Sequence, residues 1–332
     1  MQWSRQIRVA GRGLRTALRA ASAMVSPPAA IGRPAAGPGV LRDVPGFGDN
    51  PGGLAMQAYV PPGLKMGAPL VVLLHGCGQD AADFAAETGW RALADRVGIA
   101  LVLPVQSDAN NRQRCFHWFR PADIARGRGE AASIRAMAAD GVRRFDADPS
   151  RVFVVGLSAG GAMAAALLAA YPDVFAAGAV VAGLPVGAAS GTASALARMA
   201  QAGPRTRPAS AWADLARQLG PADYRGPWPR LSIWRGALDT VVDPANATLL
   251  VRQWCALLGL DGAEPDVDDD AQAHHLAWPD TAEPRVELWT VPSLGHAYPT
   301  EAQRFDGSSA TDRIAAFFGL AEEQLASGPG MC

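Results

Sequence analysis

Residues 154–161 read Val154-Val155-Gly156-Leu157-Ser158-Ala159-Gly160-Gly161. An apolar run leads into a serine flanked by glycines, and an alanine-rich stretch follows. The pattern predicts a strand over Arg151–Gly156, a sharp turn at Ser158 and a helix over Ala159–Tyr171. Such a turn holds its serine in a crowded backbone conformation, so the positions two residues to either side must lack side chains. Gly156 and Gly160 meet that need. A serine presented in this way is a candidate nucleophile. A bare G-x-S-x-G arises often by chance, so its meaning depends on the elements around it and on partners further along the chain.

Outward from this point, strand and helix patterns alternate. Leu54–Val60 reads as an early strand, ended by Pro61-Pro62. Pro69–His75 is a continuous apolar run, suited to a central parallel strand. Ala82–Val97 has helical spacing, Ile99–Pro104 is the next strand and Gly129–Phe145 the next helix. Phe175–Ala182, Leu231–Trp234 and Val286–Val291 complete the series. Alternation of this kind predicts an α/β architecture with a doubly wound, mostly parallel sheet. Two connections are long. Gly187–Pro229 is expected to form a small helical cap over the site, and Asp261–Glu283 reads as acidic and irregular. The expected organisation is a basic tail and linker over residues 1–40, a catalytic domain over 41–322 and a short tail over 323–332.

Composition fits one sizeable globular core: 332 residues, 49% apolar and 18% charged. A formal net charge of −1 gives no basic field, so no nucleic-acid partner is expected. The apolar stretch Ala162–Val186 is interrupted by Pro172-Asp173, and each half is too short to span a bilayer. Cys77, Cys115, Cys255 and Cys332 form no C-x-x-C pair, so no structural zinc is expected. Asp268-Asp269-Asp270 and His274-His275 lack regular ligand spacing and read as a solvated insertion. Near the start, Arg5, Arg8, Arg12, Arg15 and Arg19 recur on one helical face. Either residues 1–20 form a basic helix that rests on a membrane or polymer granule, or they are a solvated tail. The arginines interrupt any secretory h-region, and 27–38 reads as a linker.

A serine hydroxyl needs a base. Of the five histidines, His296 sits in Ser293-Leu294-Gly295-His296-Ala297, just beyond the last expected strand. A carboxylate must then orient the imidazole. Asp239, in Gly236-Ala237-Leu238-Asp239-Thr240, lies soon after a strand, with Asp243 as its competitor. The order Ser158, Asp239, His296 is that of the α/β-hydrolase fold. Acyl transfer also needs donors for a developing oxyanion. The backbone N–H of Ala159 is one candidate. Cys77, on the loop after Leu73-Leu74-His75-Gly76, is the other. His75 is read as shaping that loop rather than acting as a base. No metal or organic cofactor is called for.

Further motifs complete the pattern: Leu74-His75-Gly76-Cys77-Gly78-Gln79, Pro104-Val105-Gln106, Cys115-Phe116-His117-Trp118-Phe119, Gly127-Arg128-Gly129-Glu130, Tyr171-Pro172-Asp173-Val174-Phe175, Asp239-Thr240-Val241-Val242 and Gly295-His296-Ala297-Tyr298-Pro299. With the serine turn they resemble the esterase/poly(3-hydroxybutyrate) depolymerase family over residues 69–300. The resemblance implies a serine esterase acting on polyester or 3-hydroxyalkanoate oligomers. Feruloyl and acetylxylan esterases are the alternative, and an inactive fold used for binding is a rival of another class. It also implies a Cys77–Cys115 disulfide and a place for Trp118 near the substrate, against core packing as the other reading. Trp90, Trp234, Trp254 and Trp289 are assigned to the scaffold. Family members often carry His-Gly where this chain has Arg235-Gly236. Little chain follows Phe318, so attack on crystalline polymer is not expected. The family points to an extracellular location, and the arginine-rich start to a cytoplasmic, granule-associated one.

Overall fold

The computed structural model describes residues 38–203, 207–269, 272–280, 283–300, 303–305 and 307–320. The arginine-rich segment 1–20 and the tail 323–332 lie outside the described residues. Among those described, the strands form one 10-stranded sheet. In chain order they are β1 (Val40–Asp43), β2 (Ala55–Val60), β3 (Leu70–Leu74), β4 (Ala100–Val105), β5 (Val152–Leu157), β6 (Ala177–Val181), β7 (Arg230–Gly236), β8 (Asp266–Asp269), β9 (His274–Asp280) and β10 (Glu283–Val291). Their order across the sheet is β1-β2-β4-β3-β5-β6-β7-β10-β9-β8. The run from β4 to β10 is parallel, and antiparallel strands flank it on both sides.

Period-two alternation sorts the side chains of the central strands into two cores. Leu70, Val72, Leu74 and Val154 face one of them, together with Ile134, Met163, Leu167 and Trp254. Val71, Leu73, Phe153 and Val155 face the other, with Phe84, Trp90, Phe305 and Ile314. Strands buried on both faces read as unbroken apolar runs, as they do here. Helices α4 (Gly129–Arg144), α5 (Ala159–Ala170) and α8 (Ala245–Leu258) supply the first core. Helices α1 (Ala81–Glu87), α2 (Trp90–Val97) and α9 (Ala310–Phe317) supply the second. The remaining helices are α3 (Pro121–Ile124), α6 (Thr192–Ala200) and α7 (Ala209–Arg217). None is long and apolar enough, among the described residues, to cross a membrane.

Two local expectations change. The single helix expected over Ala82–Val97 is two helices, α1 and α2. Gly89 sits between them with φ +79° and redirects the chain, after Thr88 caps α1 with its N–H and Oγ1 both donating to the Phe84 carbonyl, at 3.1 and 2.6 Å. The segment 261–283 contains two strands. β8 and β9 extend the sheet there as an antiparallel edge, with His275 stacked on Trp289 at 3.9 Å. An edge strand β1 starts at Val40 and pairs with β2. Its start is held where the Gly39 N–H donates to Asp95 Oδ1 at 3.0 Å. The segment 187–229 carries α6 and α7. Gln253 in α8 ties it down by donating to Trp212 O at 2.8 Å and Val186 O at 3.0 Å.

Candidate active site

The strand order reverses around β3, which lies between β4 and β5. A crevice opens at the carboxyl ends of parallel strands at such a point, and here it receives the loop after β3 and the turn after β5. Ser158 occupies that turn at φ 57°, ψ −117°. Glycine is forced on both sides. A Cβ on Gly156 would lie 2.1 Å from Gly160 O, and one on Gly160 would lie 2.3 Å from Leu74 O. The Ser158 N–H is held by Val181 O at 2.9 Å. Nearly all of this neighbourhood is buried, so a strained backbone is over-determined by packing.

His296 and Asp239 converge on the serine. Ser158 Oγ lies 2.9 Å from His296 Nε2, and His296 Nδ1 lies 2.8 Å from Asp239 Oδ2. These contacts assign the imidazole proton to Nδ1, donated to the carboxylate, and leave Nε2 to accept from the hydroxyl. Asp239 Oδ1 accepts from the N–H groups of Val241 at 2.9 Å and Val242 at 2.8 Å. The carboxylate is almost fully buried, and the imidazole is 20% exposed. Asp243, the competitor in the sequence, is occupied elsewhere. It accepts from Ala202 N and Ala245 N, each at 2.9 Å, and so ties the α6–α7 connection to the start of α8.

Cys77 and Ala159 both line the cleft beside Ser158. The Ala159 N–H is the first of α5, among those that a helix leaves without an intrahelical partner, at the electropositive end. Cys77 is disulfide-bonded to Cys115. His75 is fully buried. Its Nδ1 lies 2.8 Å from Gly76 O, and its Nε2 accepts from Gln106 N at 3.2 Å. Both nitrogens are therefore used in fixing the loop, and burial holds the imidazole pKa below its ordinary value. Trp118 is both packed and at the cleft. It is 7% exposed within the core, yet it lines the cleft beside Phe119, with the two rings edge-to-face at 5.6 Å.

The cleft measures about 480 Å³, within the range of small-molecule sites. A larger hollow of about 700 Å³ beside β1 is lined by prolines, valines and the Arg42 and Arg144 side chains. It contains no nucleophile with a base, so the chemistry belongs to the smaller cleft. Among the described residues no group of three His, Cys, Asp or Glu side chains is placed to hold a metal ion.

Several supporting residues had sequence signals without assigned roles. Gln79 Oε1 accepts from Gly76 N at 2.7 Å and braces the loop carrying Cys77. Glu130, fully buried, accepts from Gln106 Nε2 and from His117 N, each at 2.6 Å, and its Oε1 lies 2.8 Å from His117 Nδ1. The network anchors the loop bearing Cys115 and Trp118. All three residues lie in the motifs of the sequence. Arg235 replaces the frequent histidine and reaches Thr290 Oγ1, Thr248 Oγ1 and Pro244 O at 2.9–3.1 Å. It joins β7 to β10 and to the end of the Asp239 loop, and burial lowers its pKa.

With this geometry in place, comparison with known proteins is decisive at the level of family. The model of the esterase PHB depolymerase family matches residues 54–267. The chain belongs to that family. It is 43% identical over 263 residues to poly(3-hydroxyalkanoate) depolymerase C of Paucimonas lemoignei, which covers 79% of this chain and 62% of that protein. The chain thus spans less than two thirds of that relative's length. Feruloyl esterase B of Neurospora crassa is 31% identical over 79% of this chain and 90% of its own. The acetyl xylan esterase of Aspergillus awamori superposes with a TM-score of 0.74 at 26% identity, over 85% of this chain and all of that one. The family's members carry the α/β-hydrolase fold, and so does this chain.

Proposed function

We propose that this protein is a serine carboxylic-ester hydrolase of the depolymerase type, cleaving polyester or 3-hydroxyalkanoate oligomers. The observation that carries the reading is the unbroken chain of contacts from Ser158 Oγ through His296 to Asp239, at 2.9 and 2.8 Å, at the floor of a cleft. Ser158 attacks the ester carbonyl while His296 Nε2 takes its proton. Asp239 holds the ring and stabilises the imidazolium, and its buried carboxylate keeps its own two N–H donors throughout. The backbone N–H groups of Cys77 and Ala159 receive the oxyanion. His296 then protonates the departing alcohol, and water, activated by the same imidazole, releases the acid.

The 43% identity to a poly(3-hydroxyalkanoate) depolymerase supports the polyester reading. The likeness to acetylxylan and feruloyl esterases supports the second reading, side-group removal from plant polysaccharide. Contact of residues 1–20 with a polymer granule or membrane rests on the sequence alone. The test is release of 3-hydroxybutyrate and its oligomers from amorphous poly(3-hydroxybutyrate), with Ser158→Ala as the blank. Release by the wild type alone is expected, and Ser158→Ala should lower turnover by several powers of ten. Equal turnover in both proteins would remove Ser158 from the mechanism. Cleavage of feruloyl or acetyl esters without polymer release would favour the second reading.

A further inference from the structure

The two sides of the cleft differ in character. The side beneath the cap is apolar, with Leu184, Ala195, Leu196, Met199 and Val242. The loops facing it add the polar side chains Gln79, Asn111, Gln113 and Arg120 to the aromatic Trp118 and Phe119, with the Arg120 guanidinium 6.0 Å from the Phe119 ring. Among the described residues lining the cleft, Arg120 is the only side chain of fixed charge, and no carboxylate lines the cleft with it. Its guanidinium is half exposed, at 53%. The nearest carboxylate, Asp123 Oδ2, is 3.9 Å from Nη1 and is shared with His117 Nδ1 at 3.4 Å. Nη1 also lies 3.4 Å from His117 Nδ1. Nη2 and Nε carry no hydrogen bond among the described residues, so one edge of the donor fork is open.

A half-exposed pair as long as Arg120–Asp123, at 3.9 Å, contributes little to stability. Cleavage of a neutral ester within a chain does not call for a cation in the cleft either. A linear oligoester of hydroxy acids, however, has an aliphatic body and one free carboxylate, ionised at neutral pH. That chemistry matches the two sides, since a guanidinium fork binds a carboxylate through paired, charge-assisted hydrogen bonds. We propose that Arg120 binds the terminal carboxylate of a hydroxy-acid oligoester while its aliphatic body lies against the cap side. Short acid-terminated oligomers are then the preferred substrates of this cleft, ahead of capped chains. The proposal rests on the ester-hydrolase reading for the bond that is cut, but not for the binding it predicts.

Binding can be measured without turnover. Full-length Ser158→Ala protein is titrated calorimetrically at low salt with the 3-hydroxybutyrate dimer acid, its methyl ester and glucuronate. The acid is expected to bind about tenfold more tightly than the methyl ester, the scale of one charge-assisted contact. Adding Arg120→Ala should bring that ratio to near one, Arg120→Lys should retain part of it, and salt should weaken it. Equal binding of acid and methyl ester, no measurable binding of the acid, or a preference that survives Arg120→Ala would overturn the proposal. Glucuronate binding as tightly as the acid dimer would overturn the polyester assignment in favour of a uronic acid on polysaccharide. Hydrolysis of p-nitrophenyl butyrate by the wild type, and its loss in Ser158→Ala, tests the ester-hydrolase reading separately.

Discussion

Gly236 touches neither the nucleophile nor the cleft, yet the geometry predicts that Gly236→Ala disables the enzyme. β7 ends at this residue, and the loop that carries His296 packs directly on it. A Cβ here would lie 2.2 Å from Leu294 O and 2.4 Å from Gly295 O. Carbon–oxygen contacts settle at about 3.3 Å, so the 294–295 backbone must retreat by about 1 Å. The loop has little freedom to do so without carrying its neighbour along. Leu238 N donates to Leu294 O at 2.9 Å and Ala237 N to Val291 O at 3.0 Å, which joins the Asp239 and His296 loops. A displacement of that size at His296 lengthens its 2.9 Å contact with Ser158 and costs roughly 100-fold in rate. Forced backbone shifts also cost about 1–3 kcal/mol of stability. The assay is kcat and KM for p-nitrophenyl butyrate, beside a thermal melt. The expected result is a lower kcat with KM little changed. Gly191→Ala, where an added Cβ meets nothing within 4 Å, is the neutral comparison. Wild-type kcat in Gly236→Ala would refute the reasoning.

Three further outcomes follow from other groups in the protein. The Cys77–Cys115 bond closes a 38-residue separation, which in the chain-entropy model stabilises by about 4 kcal/mol. Denatured, unreduced protein should therefore titrate at most two thiols, and reduction should lower both the melting temperature and the turnover. Four titratable thiols would exclude the bond. Cys255, whose thiol pKa burial pushes up to about 12, should resist alkylation until the protein unfolds. His75 predicts an acid limit to stability. Burial lowers its pKa from the ordinary 6.5, so below that pH the unfolded chain takes a proton that the folded chain refuses. Stability should thus be full above about pH 6.5 and fall as the pH drops beneath it. His75→Gln should flatten that fall in denaturant midpoints measured from pH 5 to 8, and identical slopes in the two proteins would remove His75 as the cause.

What the sequence made legible follows from the range over which each signal acts. Ser158 was readable because its constraint is local. Gly156 answers the Gly160 carbonyl four residues on, and the flanking strand and helix are continuous apolar runs, although Gly160 answers the Leu74 carbonyl of a neighbouring strand. His296 and Asp239 were readable from their places after strands, with Asp239 preferred to Asp243 as nearer the strand end, while what each carboxylate binds was not. Those partners, Val241 and Val242 for one and Ala202 and Ala245 for the other, are tertiary facts. β8 and β9 were missed because an antiparallel edge exposed to solvent carries acidic residues without an apolar run. Its strand character comes from pairing with β10. The break at Gly89 was missed because apolar spacing continues across it, and only the left-handed φ of the glycine interrupts the helix. The roles of Glu130 and Gln106 were illegible for a related reason. A buried carboxylate must find donors, and these come from residues up to 24 positions away.

The two sides of the cleft are held by different means, and the difference bears on which parts of the site can vary. The side carrying the candidate oxyanion donor is fixed by the disulfide, by Gln79 on Gly76 N and by the buried Glu130 network. An oxyanion donor is useful only if it is already in place when charge develops, so this side tolerates little variation. The cap side is secured at its margins, through Asp243 to Ala202 N and Asn246 to Arg198 O, while Leu196 stands 63% exposed over the cleft. Side chains there can change without disturbing the hydrogen bonds of Ser158, His296 and Asp239. Variation on α6 therefore changes the wall of the cleft and not its hydrogen-bonded triad, while Arg120 stands on the braced side. Exchanges on the cap should alter which ester is cut while leaving intact the machinery that cuts it.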